Sequence, residues 1–383
     1  GLFDLNSFSQ AINGLTNNGV VNNTAATAVT LNVGGSNVAS TVTGTIQNTG
    51  GGLTLIKGGS GGSLMLNTTN GYTGGTMINS GAIYPKNNFA LGSGPVWVNA
   101  GTLYCVTNTA LTNALTFTNT LTLNGGTLEL GGGPGKTLNW TGLVSLTTNS
   151  NLHADGNTAG LTISGSVDLG GGSNTLNSRN DGGSTGTFIS GPITGSSGLI
   201  NVASGTLVLK GTNTFGGTLR AAGGTLSLEN IYAAQNATVD YDAADSGSFN
   251  YNGLNAIIGA VTGSRNFTLN PSPLIGNNNL STNYDGAISG PGGITKIGTG
   301  TWTLTGTNNY TGNTTISAGT LALSGGGAIA GSTNIIVAGG ATFDVSAKSP
   351  GFVLSGRTLA NSSVGAVLDG NSYCSSGTLA LDR

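Results

Sequence analysis

Apolar and polar residues alternate one by one in short stretches along this chain. In TWTLT, Thr301 to Thr305, Trp302 and Leu304 fall on one side and the three threonines on the other. A period of two sends successive side chains to opposite faces of a β-strand, and β-branched threonine suits the outer face. The stretches break at GTNN, SAG or GGG, which favour turns. The 3.6-residue spacing of an amphipathic helix is not sustained. NIYAAQNA, Asn230 to Ala237, is the one segment expected to form a short helical turn.

The alternation recurs in copies with fixed internal spacing. Gly62, Gly205 and Gly300 are each followed ten residues on by an aromatic: Tyr72, Phe215 and Tyr310. Nine residues beyond each aromatic stands another glycine: Gly81, Gly224 and Gly319. Between them Leu64 and Leu66 match Leu207 and Leu209, and Trp302 and Leu304. Ile78 matches Ala221 and Ile316. Leu226 and Leu228 match Leu321 and Leu323. The first copy carries Ile83 and Pro85 there, and a proline without an N–H predicts a strand that stops early or lies at an edge. The copies lie near 52–85, 198–229 and 292–323. Asn13-Gly14-Leu15 also resembles Asn252-Gly253-Leu254, which places a large-unit boundary near residue 236.

Short strands, glycine and asparagine turns and repeated units point to an all-β solenoid, continuous over 1–383. Stacked coils give each strand a partner above and below, about 4.8 Å away, so a thin apolar face suffices for a core. At roughly 20–25 residues per coil the chain would form on the order of 15–19 coils, a rod of about 70–90 Å. An array of β-sandwiches would need turns every 8–12 residues and separate domain boundaries, and no clear linker is found.

Composition narrows the function. Charged residues are 6% of the chain and glycine is 70 of 383, against about 25% and about 7% in ordinary domains. The glycines do not fall at every third position, which excludes collagen. The net charge is −2 with no basic stripe, so no nucleic-acid partner is expected. No apolar run is long enough for a transmembrane helix. The N-terminus lacks a charged region followed by an apolar stretch, and reads as a mature or fragmentary chain. Cys105 and Cys374, 269 residues apart, would lie too far apart in one straight rod for a disulfide. They are expected as buried thiols, with pairing between chains as the alternative.

GTGTWTLTGTNNYTGNTTISAGTLAL, from Gly298, closely resembles the autotransporter-associated β-strand repeat, also called the passenger-associated transport repeat. GGSLMLNTTNGYTGGTMINSGAI from Gly61 and SGTLVLKGTNTFGGTLRAAGGTLSL from Ser204 resemble it as well. The resemblance implies a right-handed parallel β-helix in a secreted bacterial surface protein. It also implies a membrane β-barrel at the end of a self-exporting chain. This stretch shows none, so self-export is not expected of it.

Candidate chemistry is sparse. GGGPGKT, Gly131 to Thr137, approaches a phosphate loop, but Leu130 stands where the first glycine is required and the next residues read as a strand. It is expected to be a turn. His153 is the lone histidine, so any Ser-His-Asp triad must use it, and alternation puts Asp155 on its face. Asp240, Asp242 and Asp245 form the densest acidic set; Asp240 and Asp242 share a face and would suit calcium or an acid–base pair, with a solvated turn as the plain alternative. Asp168 and Asp181 stand isolated. Tyr72, Phe215 and Tyr310 either stack on sugars from outside or fill corners of the core; their irregular separation favours the corner. No catalytic, metal or cofactor site is assigned.

Three functions fit. The first is a non-enzymatic extracellular structural solenoid that self-associates end to end or binds other cell-surface components. Its terminal segments do not read as polar caps, which motivates the end-to-end expectation. The second is an adhesive or glycan-binding module. The third is a polysaccharide-degrading β-helix.

Overall fold

The computed structural model describes residues 1–383 except 36, 107–113, 132, 157, 159, 363–366, 370–371, 374–377 and 381–383. It divides into two compact units, Gly1–Val208 and Leu209–Arg383. Both are all-β, and the strands in each stack in parallel, so each is a β-solenoid.

In the first unit one face stacks nine parallel strands, from Gln10–Ile12 to Ile193–Thr194. Val96, Leu121, Val144 and Val167 lie in register on it, at spacings of 25, 23 and 23 residues. A second face runs from Ser40–Val42 to Leu199–Ser204, and a third includes Ala114–Phe117, Thr137–Trp140, Gly160–Ile163 and Thr187–Ile189. Each strand lends alternate side chains to the interior: Leu121 and Leu123, Leu128 and Leu130, Leu138 and Trp140 are buried in turn around one coil. Burying each contributes about 1.5–3 kcal/mol. Trp140 stacks under Phe117, ring centroids 5.2 Å apart, and its indole N–H donates to the Asn119 carbonyl at 2.8 Å.

The second unit repeats this economy with shorter coils. Thr282, Trp302, Leu321 and Phe343 lie in register at spacings of 20, 19 and 22 residues. The alternation of TWTLT is borne out: Trp302 and Leu304 are buried, and Thr301, Thr303 and Thr305 are partly exposed.

The repeats share a corner whose chemistry follows from main-chain accounting. At a corner the chain leaves one face and its N–H and C=O groups lose their ladder partners. A buried asparagine two residues before the repeat aromatic supplies replacements. Asn70 accepts from the Ile46 N–H at 2.8 Å and donates to the Ala90 carbonyl at 2.8 Å, tying its coil to the ones on either side. Asn308 does the same with Ile288 and Ala328, at 2.9 Å each, and Asn213 donates to Ala233 at 2.9 Å. The aromatics are the corner filling: Tyr72, Phe215 and Tyr310 are buried, which leaves no ring outside for a sugar. Gly81 and Gly319 turn the chain with φ of 69° and 63°, and a Cβ on Gly319 would sit 2.4 Å from the Gly298 carbonyl oxygen.

Two local expectations change. NIYAAQNA is not helical: residues 231–233 form a turn closed by Ala233 N–H to Asn230 O at 3.0 Å, and Ala234–Tyr241 is a strand. Pairing with Ile257–Gly263 overrides any helical preference there. Pro85 neither ends its strand early nor lies at an edge. Ala82–Pro85 pairs over four residues with Ser63–Leu66, while its pairing with Thr102–Val106 covers Ala82 and Ile83 alone. The missing proline N–H thins one ladder and leaves the strand in place.

Candidate functional site

The outer face of the first unit's second sheet carries an unusual row of side chains. Register aligns Tyr104, Glu129, His153 and Arg179 on four successive coils. Tyr84, one coil earlier, places its ring centroid 4.9 Å from that of Tyr104, and the Lys86 ammonium lies 5.9 Å from the Tyr84 ring. Elsewhere the outward positions are mostly threonine, asparagine and serine. Residues 1–208 contain nine Asp, Glu, Lys and Arg residues. Five of them, Lys86, Glu129, Asp155, Arg179 and Asp181, belong to this row, so the concentration is not a sampling of a charged surface.

The polar side chains of the row pair with one another in two sets. His153 Nδ1 lies 3.1 Å from Glu129 Oε1, and Nε2 lies 3.0 Å from Asp181 Oδ2. Arg179 forks onto Asp181 through Nε and Nη2, at 3.2 Å each. The Tyr104 hydroxyl donates to Asp155 Oδ2 at 3.2 Å. Burial pushes the Glu129 carboxyl up, against the pull of His153. The guanidinium of Arg179 holds Asp181 below the usual carboxylate range. Burial, with Asp155 and Glu129 repelling a phenolate, pushes Tyr104 up to about 12. Both ring nitrogens of His153 face carboxylate oxygens.

The sequence reading placed the right histidine with the wrong partner. Asp155 lies just past the strand Ser150–Ala154, accepts from the Gly156 N–H at 2.7 Å and serves Tyr104. Asp181 is not isolated; it is the carboxylate that His153 and Arg179 share. Asp168 caps its own turn, accepting from the Gly170 N–H at 2.9 Å. GGGPGKT joins the strands Thr127–Gly131 and Thr137–Trp140, with no helix to open. Its first glycine serves Tyr104: a Cβ on Gly131 would lie 2.1 Å from that hydroxyl.

In the second unit Asp242 and Asp245 are held by Arg220, at 3.0 Å for Asp242 and 2.8 Å to each oxygen of Asp245. Burial raises the Asp240 carboxyl, with Arg220 opposing. Among the described residues no three His, Cys, Asp or Glu side chains converge as a metal set. Cys105 is a buried free thiol whose pKa burial pushes up; Cys374 lies outside the described residues. Among the described residues no helix is long and apolar enough to cross a membrane.

Sequence reasoning missed two lysines. Lys57 and Lys296 point inward and are buried. Lys57 Nζ donates to the carbonyls of Gly58, Gly59 and Gly61, and Lys296 Nζ to those of Ile297, Gly298 and Ala318 at 2.7, 2.9 and 3.3 Å. The signal was present: in LTLIK, Lys57 follows Leu53 and Leu55 on the inner side of the alternation.

Parallel coils, a corner built on asparagine and aromatic, and an outer face of short polar side chains define a repeat β-solenoid. Residues 55–83, 204–228 and 294–323 match the passenger-associated-transport-repeat family. These segments fall inside the three copies read from the spacing. A similar protein is the "Adhesin BmaC autotransporter" of Brucella suis biovar 1 (strain 1330), 36% identical over 187 residues that cover 41% of this chain. The match spans 5% of that protein's length. No solved structure matches. The chain carries passenger-associated transport repeats and is a secreted, cell-surface β-solenoid.

Proposed function

We propose that this chain is a non-enzymatic adhesive scaffold: a stiff stack of coils that presents its outer face to partners at the cell surface. The observation that carries the reading is the mutual pairing of the row's charged side chains. A catalytic acid or base needs a lone pair or proton free to meet a substrate. Here both ring nitrogens of His153 are turned to Glu129 and Asp181, and Arg220 occupies both oxygens of Asp245 and one of Asp242. Buried asparagines crosslink neighbouring coils, which gives the stiffness. The likeness to a protein named an adhesin supports the same reading.

The test couples three measurements on the purified chain. Coated beads are scored for attachment to cells. Soluble polysaccharides are assayed for new reducing ends. Particles are imaged by negative-stain electron microscopy. Attachment, no reducing ends and discrete particles are expected. Reducing ends lost in Glu129→Gln or Asp155→Asn would make the row an active site. Filaments without attachment would replace adhesion by end-to-end assembly as the function.

A further inference from the structure

The second unit holds a cavity that none of the preceding roles uses. It measures about 260 Å³ and opens among Tyr241, Phe249, Tyr251 and Phe267. Phe267 lies flat against Tyr241, centroids 4.4 Å apart and 11° between planes, and Phe249 leans on Tyr241 at 4.9 Å and 56°. The Tyr241 and Tyr251 hydroxyls bond each other at 2.8 Å. Aromatic side chains from three strand segments therefore make a fixed wall. Ser248, Asn266 and Thr268 line the cavity as well and are exposed, so they form its polar rim.

Arg265 completes it. Its Nη1 donates to the Gly247 carbonyl, and its guanidinium carbon lies 5.6 Å from the Tyr241 ring centre. Its Nε and Nη2 are buried and have no acceptor. Those two N–H groups form the side fork that matches a carboxylate. This chain shows what such a fork takes. Arg179 uses Nε and Nη2 to hold Asp181, and Arg220 uses the same pair to hold Asp245. At Arg265 the fork is empty. Leaving buried donors unmet is costly, and native proteins rarely tolerate it without a reason.

We propose that this cavity binds a sugar ring bearing a carboxylate, with the acid on the Arg265 fork, the apolar ring face against Phe267 and Phe249, and the hydroxyls on Ser248, Asn266 and Thr268. The volume lies below the roughly 300–1,000 Å³ of drug-sized sites, which suits one ring. Arg265 lines the cavity with its fork beneath the surface, and on this proposal the guanidinium turns toward the opening to meet the acid. The proposal rests on the adhesive reading and names its ligand class.

The test uses the whole purified chain and titration calorimetry or ligand-observed NMR. The probes are glucuronate, galacturonate and N-acetylneuraminate, with glucose and methyl glucuronate ester as uncharged controls. At least one acid should bind at least tenfold tighter than both controls, and the acid preferred identifies hexuronic or sialic chains as the source. Arg265→Met should remove that preference; it deletes two unmet donors but also the bond to the Gly247 carbonyl, so the melting temperature is read only to show that the variant folds. Arg265→Lys keeps the charge without the fork and should weaken binding by an intermediate factor. Equal binding of acid and ester by the unaltered chain overturns the proposal whether or not a variant folds. Acid preference unchanged in a folded Arg265→Met overturns the site. Loss of acid preference in Arg265→Met with cell attachment intact supports this site and leaves adhesion to another surface. Acid preference in a chain that fails to attach supports the site and removes only the adhesive reading.

Discussion

The copies at 55–83 and 294–323 build their corner one way, and the copy at 204–228 builds it another. In the first two, a tyrosine hydroxyl meets a threonine four residues on: Tyr72 with Thr76 and Tyr310 with Thr314, at 2.6 Å each. In the third the same positions hold Phe215 and Leu219, both buried. The two residues change together because a buried hydroxyl needs a partner and a buried partner needs the hydroxyl. Lysine follows the same division. Lys57 and Lys296 stand near the start of the tyrosine copies, while Gly198 to Leu209 contains no lysine. The corner asparagine is common to all three, as Asn70, Asn213 and Asn308. What is constant serves the main chain; what varies serves the filling, and it varies in matched sets.

The largest effect should come from the lysine. Lys296→Met leaves the carbonyls of Ile297, Gly298 and Ala318 without their shared donor, inside a coil that admits little water. A loss of about 3 kcal/mol is expected, read as a lower midpoint in urea or guanidinium. The pH dependence checks the cause. Burial pulls the Lys296 pKa from 10.5 to about 8, so between those values the unfolded chain binds more protons than the folded one. Stability should therefore rise with pH through that window, by up to about 3 kcal/mol, and Lys296→Met should lack the rise. Buried tyrosines such as Tyr310, pushed up by burial, oppose it above about pH 10. They are common to both proteins and cancel in the difference. An identical pH profile for the two would show that burial does not disfavour the Lys296 ammonium.

Phe215→Tyr should come next. It adds a hydroxyl at a corner where Leu219 replaces the receiving threonine. The expected cost is about 2 kcal/mol by chemical unfolding. Adding Leu219→Thr should return part of it, since the pair then matches the other two copies. If Phe215→Tyr alone is neutral, the matched change has no energetic basis.

Much of this was legible in the chain. Period-two alternation gave the strands, and the glycine-to-aromatic spacing gave the repeats and buried corners. The polar row was not legible. Glu129, His153 and Arg179 come together because coils of 24 and 26 residues stack in register, and coil length varies along the unit. Without that register the nearest carboxylate in sequence, Asp155, was the natural partner, although Asp181 from the next coil is the real one. The Arg220 contacts with Asp242 and Asp245 were hidden for the same reason. Lys57 escaped because lysine is almost never fully buried without a partner. Its partners are main-chain carbonyls, which sequence does not mark.

The smallest effect is the sharpest test of matched change. In the 294–323 copy, hydroxyls hand on their protons in sequence: Tyr310 bonds Thr314, Thr314 bonds Ser332 at 2.8 Å, and Ser332 donates to the Asn334 carbonyl at 3.2 Å. In the 55–83 copy the chain is shorter, because Thr76 donates directly to the Leu91 carbonyl at 3.0 Å. Tyr310→Phe should cost about 1 kcal/mol, and Thr314→Val a similar amount. Together they should cost less than the sum by about 0.5–1 kcal/mol, since each removes what the other has lost. The pair Tyr72→Phe and Thr76→Val should show the same coupling but a higher total, because the buried Leu91 carbonyl is left without its side-chain donor. Strict additivity in both copies would mean that the tyrosine and threonine are neighbours by accident. Equal totals would mean that the Leu91 carbonyl finds another donor when Thr76 is gone.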